Sequence, residues 1–295
     1  MKIFVVTGQT ATGKTAYAAK LAKHYNGELL NADSRQVYKE LNIITGKDFP
    51  SGVKIHLYDI VDPVEYFSSF DYAQKALPLI EQLLKRGKTP IIVGGSYLYL
   101  KHLLYDIETE NIPPDWKLRK DLENKAVPEL QRILNDIAPR FINELNNSER
   151  NNPQRLIRKI EILKSDIMSS RRSPVFHDLR SSMTLSEKLN IKNLQIEFIG
   201  LRFNDKESLK AKIIARVEDR LKKGAIDEVK KLLVAGYTEN DPGLKTIGYQ
   251  QLIKYLKGEW TKEQAIEQWI YKELQYSKRQ YTFMKKDPNL VWKTI

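Results

Sequence analysis

Cysteine is absent from these 295 residues and histidine occurs only four times. Without cysteine there can be no disulfide framework and no thiolate chemistry, and a reducing compartment is allowed. His24, His56, His102 and His177 have neither metal-site spacing nor a paired nucleophile, so they read as structural. No apolar run approaches the length of a membrane span, and the opening "KIFVV" is too short for a leader and lacks a cleavage site. The expectation is a cytoplasmic, non-membrane protein. Acid is scarce too: 37 Asp and Glu face 49 Lys and Arg, for a net charge of +12 and a pI near 9.5. That balance favours a polyanionic partner such as nucleic acid, with a solvated basic surface as the plain alternative.

What is present is ordinary for a folded protein, with 41% hydrophobic and 29% charged residues. Residues 1–112 alternate short apolar runs ("IFVVTG", "ELLNAD", "KIHLYDIV", "TPIIVGG") with helical patterns at 14–25 and "SFDYAQKALPLIEQLLKRG". Such alternation predicts βαβ units, hence an α/β core with a mostly parallel sheet flanked by helices. At "IPPDW" the pattern changes. Residues 113–193 carry helical periodicity and many cations but no strand, then a polar link, "SSRRSP" at 169–174, and we expect a helical insertion domain there. "LQIEFIGLRF" restores a strand, and 194–295 should return to the core with helices at 206–236, 246–257 and 261–286 and a short "NLVW".

Gly8-Gln9-Thr10-Ala11-Thr12-Gly13-Lys14-Thr15 fits the P-loop pattern G-x-x-x-x-G-K-[ST] after a strand and before a helix. Backbone N–H groups at a helix start wrap phosphate, Lys14 adds charge, and Thr15 can hold Mg²⁺. Asp33 should end a neighbouring strand and face that loop, as a general base, a magnesium ligand, or the N-cap of a helix begun by "SRQVY". A nucleotide hydrolase commonly offers an aspartate at the end of another core strand. Here "TPIIVGGSYLYL" offers Gly94, Gly95 and Ser96, which counts against plain ATP hydrolysis. "KRQYTFMKK" (278–286) has four cations and no acid around Tyr281 and Phe283, suited to an unpaired RNA loop or to a solvated helix face.

Eight strings in order, "GQTATGKT", "NADSRQVY", "HLYDIVDPVEYFSSFDYAQKA", "PIIVGGS", "NPQRLIRKIEIL", "RVEDRLKKGAIDEV", "TIGYQQLIKYLKGE" and "SKRQYTF", resemble the bacterial tRNA dimethylallyltransferase (tRNA isopentenyltransferase) family. The resemblance implies transfer of a dimethylallyl group from dimethylallyl diphosphate to the exocyclic N6 amine of the adenine 3′ to the anticodon, by a chain expected to be a monomer. It further implies that Thr10–Thr15 hold the leaving diphosphate with Mg²⁺ on Thr15, that Asp33 takes the amine proton, that Arg216 helps bind the diphosphate, and that Ser96 stands at the catalytic position where the family has threonine. Asp33, Ser34, Arg35 and Gln36 would contact the extruded base. Gln154, Arg155, Leu156, Ile157 and Arg158, then Lys245, Gly248, Tyr249 and Gln250, then Lys278, Arg279, Gln280 and Lys285, would grip the anticodon stem-loop. Tyr97 stands where the family has glycine, and Gln250 where it has arginine. The alternatives are a P-loop small-molecule kinase binding ATP at the same loop, an adenylate prenyltransferase, or a non-catalytic RNA-binding protein with a vestigial phosphate loop.

Overall fold

In the computed structural model, residues 1–105, 112–139, 141–165 and 184–295 are described; the polar link at 169–174 lies outside them. The chain forms two compact units, one from Met1–Leu104 with Thr184–Ile295 and one from Tyr105–Met183. The second limit falls before the expected 193. The Thr184 N–H donates to the Leu104 carbonyl at 3.0 Å and Lys188 Nζ to the His102 carbonyl at 3.0 Å, which ties the returning chain to the first unit at once.

In chain order the first unit begins with β1 (Lys2–Gly8), α1 (Lys14–His24), β2 (Gly27–Asn31), β3 (Ile55–His56), α2 (Ser69–Lys85), β4 (Thr89–Val93) and α3 (Tyr97–Leu104). The second unit supplies α4 (Trp116–Leu122), α5 (Val127–Ile137), α6 (Phe141–Glu144), α7 (Asn147–Arg150) and α8 (Pro153–Lys164). The first unit resumes with α9 (Leu185–Lys188), β5 (Gln195–Arg202), α10 (Lys206–Lys222), α11 (Ala225–Val234), α12 (Tyr249–Leu256), α13 (Lys262–Met284) and β6 (Val291–Thr294).

The strands make one six-stranded sheet in the order β3-β2-β4-β1-β5-β6, with every pair parallel. The unbroken apolar run of β1 is what a central strand covered on both faces requires; Ile3, Phe4, Val5 and Val6 are all buried. Ala18 and Ala22 of α1 lie against Phe4, Val6, Leu29, Ile91 and Ile199, small side chains that let the helix sit close over the sheet. Burial of each larger side chain there, Phe4, Val6, Leu29, Ile91 or Ile199, contributes about 1.5–3 kcal/mol. Two expectations are corrected. "KIHLYDIV" yields only the two-residue β3, because Leu57 and Asp59 adopt left-handed φ of 67° and 56°, which ends an extended chain. The expected helix 206–236 is two, α10 and α11, separated at Gly224 with φ 95°.

In the second unit α5 and α8 bury Leu130, Leu134, Leu156 and Ile160 against one another. The buried carboxylate of Glu161 gathers two bonds from Arg119 (2.8 and 2.7 Å), the Asp115 N–H and the Arg158 guanidinium. Among the described residues of this unit there is no strand, as its composition led us to expect.

Candidate active site

β1 delivers the glycine-bounded loop, and β1's neighbours determine its shape. Gly8, at φ 135°, lies so close to β5 that a Cβ would strike the Leu201 carbonyl oxygen. The loop then folds on itself: Thr12 Oγ1 and Lys14 Nζ both donate to the Gln9 carbonyl, at 2.7 and 2.6 Å. Gly13 (φ 71°) starts α1 without a side-chain cap, so the helix N-terminus keeps donors and positive potential for an anion.

β2 ends at Asn31, which fixes the next turn. Its Oδ1 accepts the Asp33 N–H at 3.0 Å, and its Nδ2 donates to the Asp33 and Leu57 carbonyls at 3.2 and 3.3 Å. Asp33 Oδ1 accepts the Arg35 N–H at 2.9 Å. This is a turn closed by an aspartate side chain, and no helix begins at "SRQVY". Among the described residues no hydrogen bond falls on Asp33 Oδ2, which faces Gly95, whose absent Cβ would sit 3.9 Å from it. Ser96 follows β4 and joins the same turn: its Oγ accepts the Ser34 N–H at 2.8 Å and donates to Ser34 Oγ at 3.0 Å. Gly94 permits this approach, since a Cβ there would run into the Ala32 backbone.

α10 brings Arg216, whose Nη1 donates to Thr10 Oγ1 at 2.8 Å, and, one turn on, Arg220, paired with Glu273 at 3.1 Å. α13 presents a buried stripe of Ala265, Trp269, Glu273, Ser277, Gln280 and Met284. From it Gln280 accepts the Thr10 N–H at 2.9 Å and donates to the Gly95 carbonyl at 3.1 Å, joining the phosphate loop to the end of β4. Between these walls is a cavity of about 670 Å³. It is lined by six cations (Lys14, Lys47, Lys212, Arg216, Arg220, Lys223) and three carboxylates (Asp33, Asp48, Asp219). Burial, reinforced by Arg216, pushes the Lys14 ammonium down to about 8, with Asp33 opposing the shift. Burial and then Arg216 likewise push Arg220 down to about 10, against the pull of Glu273. Cations that lower one another's proton affinity are relieved by a multivalent anion placed among them. A phosphate cradle beside a carboxylate with one uncommitted oxygen can hold a leaving group and take a proton.

The chain matches the IPP transferase family model over residues 36–287. It is 34% identical to a tRNA dimethylallyltransferase of Acetivibrio thermocellus, covering 98% of this chain and 90% of the relative, and 36% identical to one of Anoxybacillus flavithermus, covering 99% and 89%. The chain belongs to the IPP transferase family. Among solved structures, the full-length tRNA isopentenylpyrophosphate transferase of Bacillus halodurans is 32% identical, with TM-score 0.69 and coverage of 99% of this chain and 89% of that one. A eukaryotic dimethylallyltransferase acting on tRNA is 26% identical, with TM-score 0.74 and coverage of 99% and 74%.

Within this IPP transferase fold, Thr10, Ala11, Gly13, Lys14, Thr15, Asp33, Gln36, Arg216 and Gln280 share the cavity wall, with Ser96 bonded to the Asp33 turn. Other residues named from the sequence are placed differently. Leu156, Ile157 and Tyr249 are buried in their cores, so none offers a side chain to an RNA surface, and Gln280, though on the cavity wall, has its amide used at both ends. Gly248 is pressed against Ile44 and Trp269, and Gln250 donates to the Glu239 and Leu244 carbonyls at 2.9 Å each. Gln154, Lys245, Lys278, Arg279 and Lys285 are exposed. Tyr97 donates to Asp287 Oδ2 at 2.7 Å.

Sequence reasoning missed Arg220, Tyr276 and Lys47. Arg220 lies four residues after Arg216, and Tyr276 four before Gln280, spacings that place each pair on one helix face. Lys47 gave no such signal: its buried ammonium is held by the Tyr38 carbonyl (2.7 Å), Asn42 Oδ1 (2.9 Å) and Asp59 Oδ1 (2.6 Å).

Proposed function

We propose that this enzyme transfers a dimethylallyl group from dimethylallyl diphosphate to N6 of the adenine 3′ to the anticodon of tRNA, releasing diphosphate. The observation that carries the reading is the pairing, in one cavity from one chain, of the Lys14 ammonium and two arginines with the uncommitted Oδ2 of Asp33. Lys14, Arg216 and the start of α1 hold the diphosphate and take up its charge as the allylic carbon–oxygen bond breaks. The adenine amine is a weak nucleophile because its lone pair is delocalised into the ring. As its bond to the allylic carbon forms, its proton passes to Asp33 Oδ2. The Arg35 N–H holds the other carboxylate oxygen, and Asn31 and Ser96 hold the backbone turn around it, which leaves the carboxylate little reorganisation to undergo.

The residues present fit Mg²⁺ of one kind. Among the described residues no cluster of three or more His, Asp or Glu could cage a metal, whereas Thr15 sets a hydroxyl beside Lys14 on the cavity wall. Mg²⁺ characteristically takes few protein ligands and completes its shell with phosphate oxygens and water. The Thr15 hydroxyl would hold it, and the ion would supply further charge neutralisation to the diphosphate. For the RNA, the exposed Gln154, Lys245, Lys278, Arg279 and Lys285, with the half-buried Arg155, are the groups we assign to phosphates, whereas the Arg158 guanidinium is engaged with Glu161 and the Ile112 carbonyl; binding should weaken as salt rises. No helix among the described residues is long and apolar enough to cross a membrane, and we place the enzyme with its tRNA in the cytoplasm.

The test is one incubation of purified protein, Mg²⁺ and labelled dimethylallyl diphosphate with either bulk tRNA or AMP. Label in tRNA supports the proposal. Label only in AMP assigns a free nucleotide as acceptor, and label in neither overturns the transfer reaction.

A further inference from the structure

At the rim of the catalytic cavity stands an aromatic residue that neither the phosphate cradle nor Asp33 accounts for. Phe49 is 72% exposed, immediately after Asp48, which lines the cavity. Its ring meets Tyr58, another lining residue, edge-on at 5.6 Å and 75°. An exposed phenyl is unremarkable by itself. This one is braced by Tyr58 on one edge and by its backbone on both sides.

Pro50 follows Phe49 and restricts its backbone to extended conformations. The Lys47 ammonium pins the segment from one end through Tyr38, Asn42 and Asp59, and Val53 packs into the sheet core at the other. Tyr58 sits between Leu57 and Asp59, both in left-handed backbone. Such a conformation costs a bulky residue about 1 kcal/mol or more and persists where the surroundings enforce it. The enforcing contacts are Asn31 Nδ2 on the Leu57 carbonyl and Lys47 on Asp59. The same Asn31 sets the Asp33 turn, so the aromatic rim and the proton acceptor are built on one support. The Tyr58 phenol is raised by burial, then by Asp48, and also by Asp33, which places Tyr58 within the carboxylate's field.

We propose that Phe49, braced edge-on by Tyr58, is the stacking platform for the RNA base adjacent to the one extruded toward Asp33. This rests on the RNA-acceptor reading given above. Extrusion of one base uncovers the π face of its neighbour, and an aromatic ring held in place is the sequence-tolerant group that covers such a face. The prenyl chain is the less suitable occupant, because an apolar tail gains most from an enclosed wall and Phe49 lies open to solvent.

The experiment compares Phe49→Ala, Phe49→Leu and Phe49→Trp on an anticodon stem-loop RNA, with and without 2-aminopurine beside the target adenine. We expect Ala and Leu to raise KM for RNA about tenfold and Trp to stay near the parent, with the effect absent from KM for dimethylallyl diphosphate. The 2-aminopurine fluorescence should be quenched on binding by the parent and by Trp, but not by Ala or Leu. An unchanged KM in Phe49→Ala, or Leu matching Trp in either readout, overturns the platform. Quenching is read without turnover. If the parent transfers no prenyl group, the proposed reaction fails while the fluorescence still decides the role of Phe49.

Discussion

Diphosphate affinity should fall with rising pH, and Lys14 sets where. In the free protein its ammonium titrates near 8, because burial and then Arg216 disfavour the charged form. A bound diphosphate supplies the opposite charge and restores a high pKa, so binding above pH 8 must draw a proton from solution. The apparent Kd then scales as 1 + 10^(pH − 8) until the pKa of the complex is reached. Between pH 7.5 and 9.5 that factor is about 25, or about 1.9 kcal/mol. Arg220, titrating near 10, adds less than a factor of about two in this window. The ligand should be isopentyl diphosphate, which is saturated and cannot ionise at carbon, and whose phosphate charge is settled well below pH 7.5 given a last ionisation of about 6. Calorimetry in two buffers of different ionisation enthalpy measures both the affinity and the proton uptake, which should be about 0.9 per ligand at pH 9. Lys14→Arg keeps its charge throughout and should give a flat profile. A flat profile in the parent, or the same decline in Lys14→Arg, would refute the assignment.

Three further outcomes follow from the geometry. Asp33→Asn keeps an oxygen for the Arg35 N–H but cannot take the amine proton; single-turnover transfer should drop about 10²–10⁴-fold with diphosphate and RNA affinities held within about threefold, and near-normal transfer would remove Asp33 as the base. Gly94→Ala forces a methyl into the Ala32 backbone and should lower unfolding free energy by about 2 kcal/mol or more, seen as a shifted denaturant midpoint; an unshifted midpoint would mean that the β2 and β4 ends are not so close. Glu228→Ala removes a buried carboxylate that accepts the Asn42, Ile43 and Ile44 N–H groups and the Tyr249 hydroxyl. It should cost about 3 kcal/mol and weaken diphosphate binding, because Gly46 in the same turn abuts the Arg216 and Arg220 guanidiniums.

The architecture was legible because the relevant signals are local. The period-two and unbroken apolar runs of β1, β2, β4 and β5, and the glycines around Lys14, specify strand, loop and helix without reference to distant residues. The cavity was half legible. Lys14 and Thr15 open the helix that follows β1 and Asp33 follows β2, where topology alone directs them to one crevice, but no local pattern announces that Gln280 would bind Thr10 from 270 positions away. Burial of Leu156, Ile157 and Tyr249 was hidden for a related reason. A contact segment on a helix alternates outward and inward residues, and the resemblance named whole segments, while the 3.6-residue period assigns only some positions to the surface. The break at Gly224 and the left-handed Leu57 were missed because a single backbone angle interrupts a pattern that side-chain chemistry would have continued.

The bond pair made by Gln280 has a bearing on biosynthesis. Its amide is the only described link that spans from the phosphate loop to the β4 terminus through a third element, and it resides in the last long helix of the chain. A ribosome that has finished every other part of the pocket still holds an incomplete one until position 280 has cleared the exit tunnel and α13 has docked. Catalytic competence is thus deferred until α13 has been made and docked, and a chain stopped short of α13 would carry an intact P-loop sequence without the Gln280 link that joins it to β4.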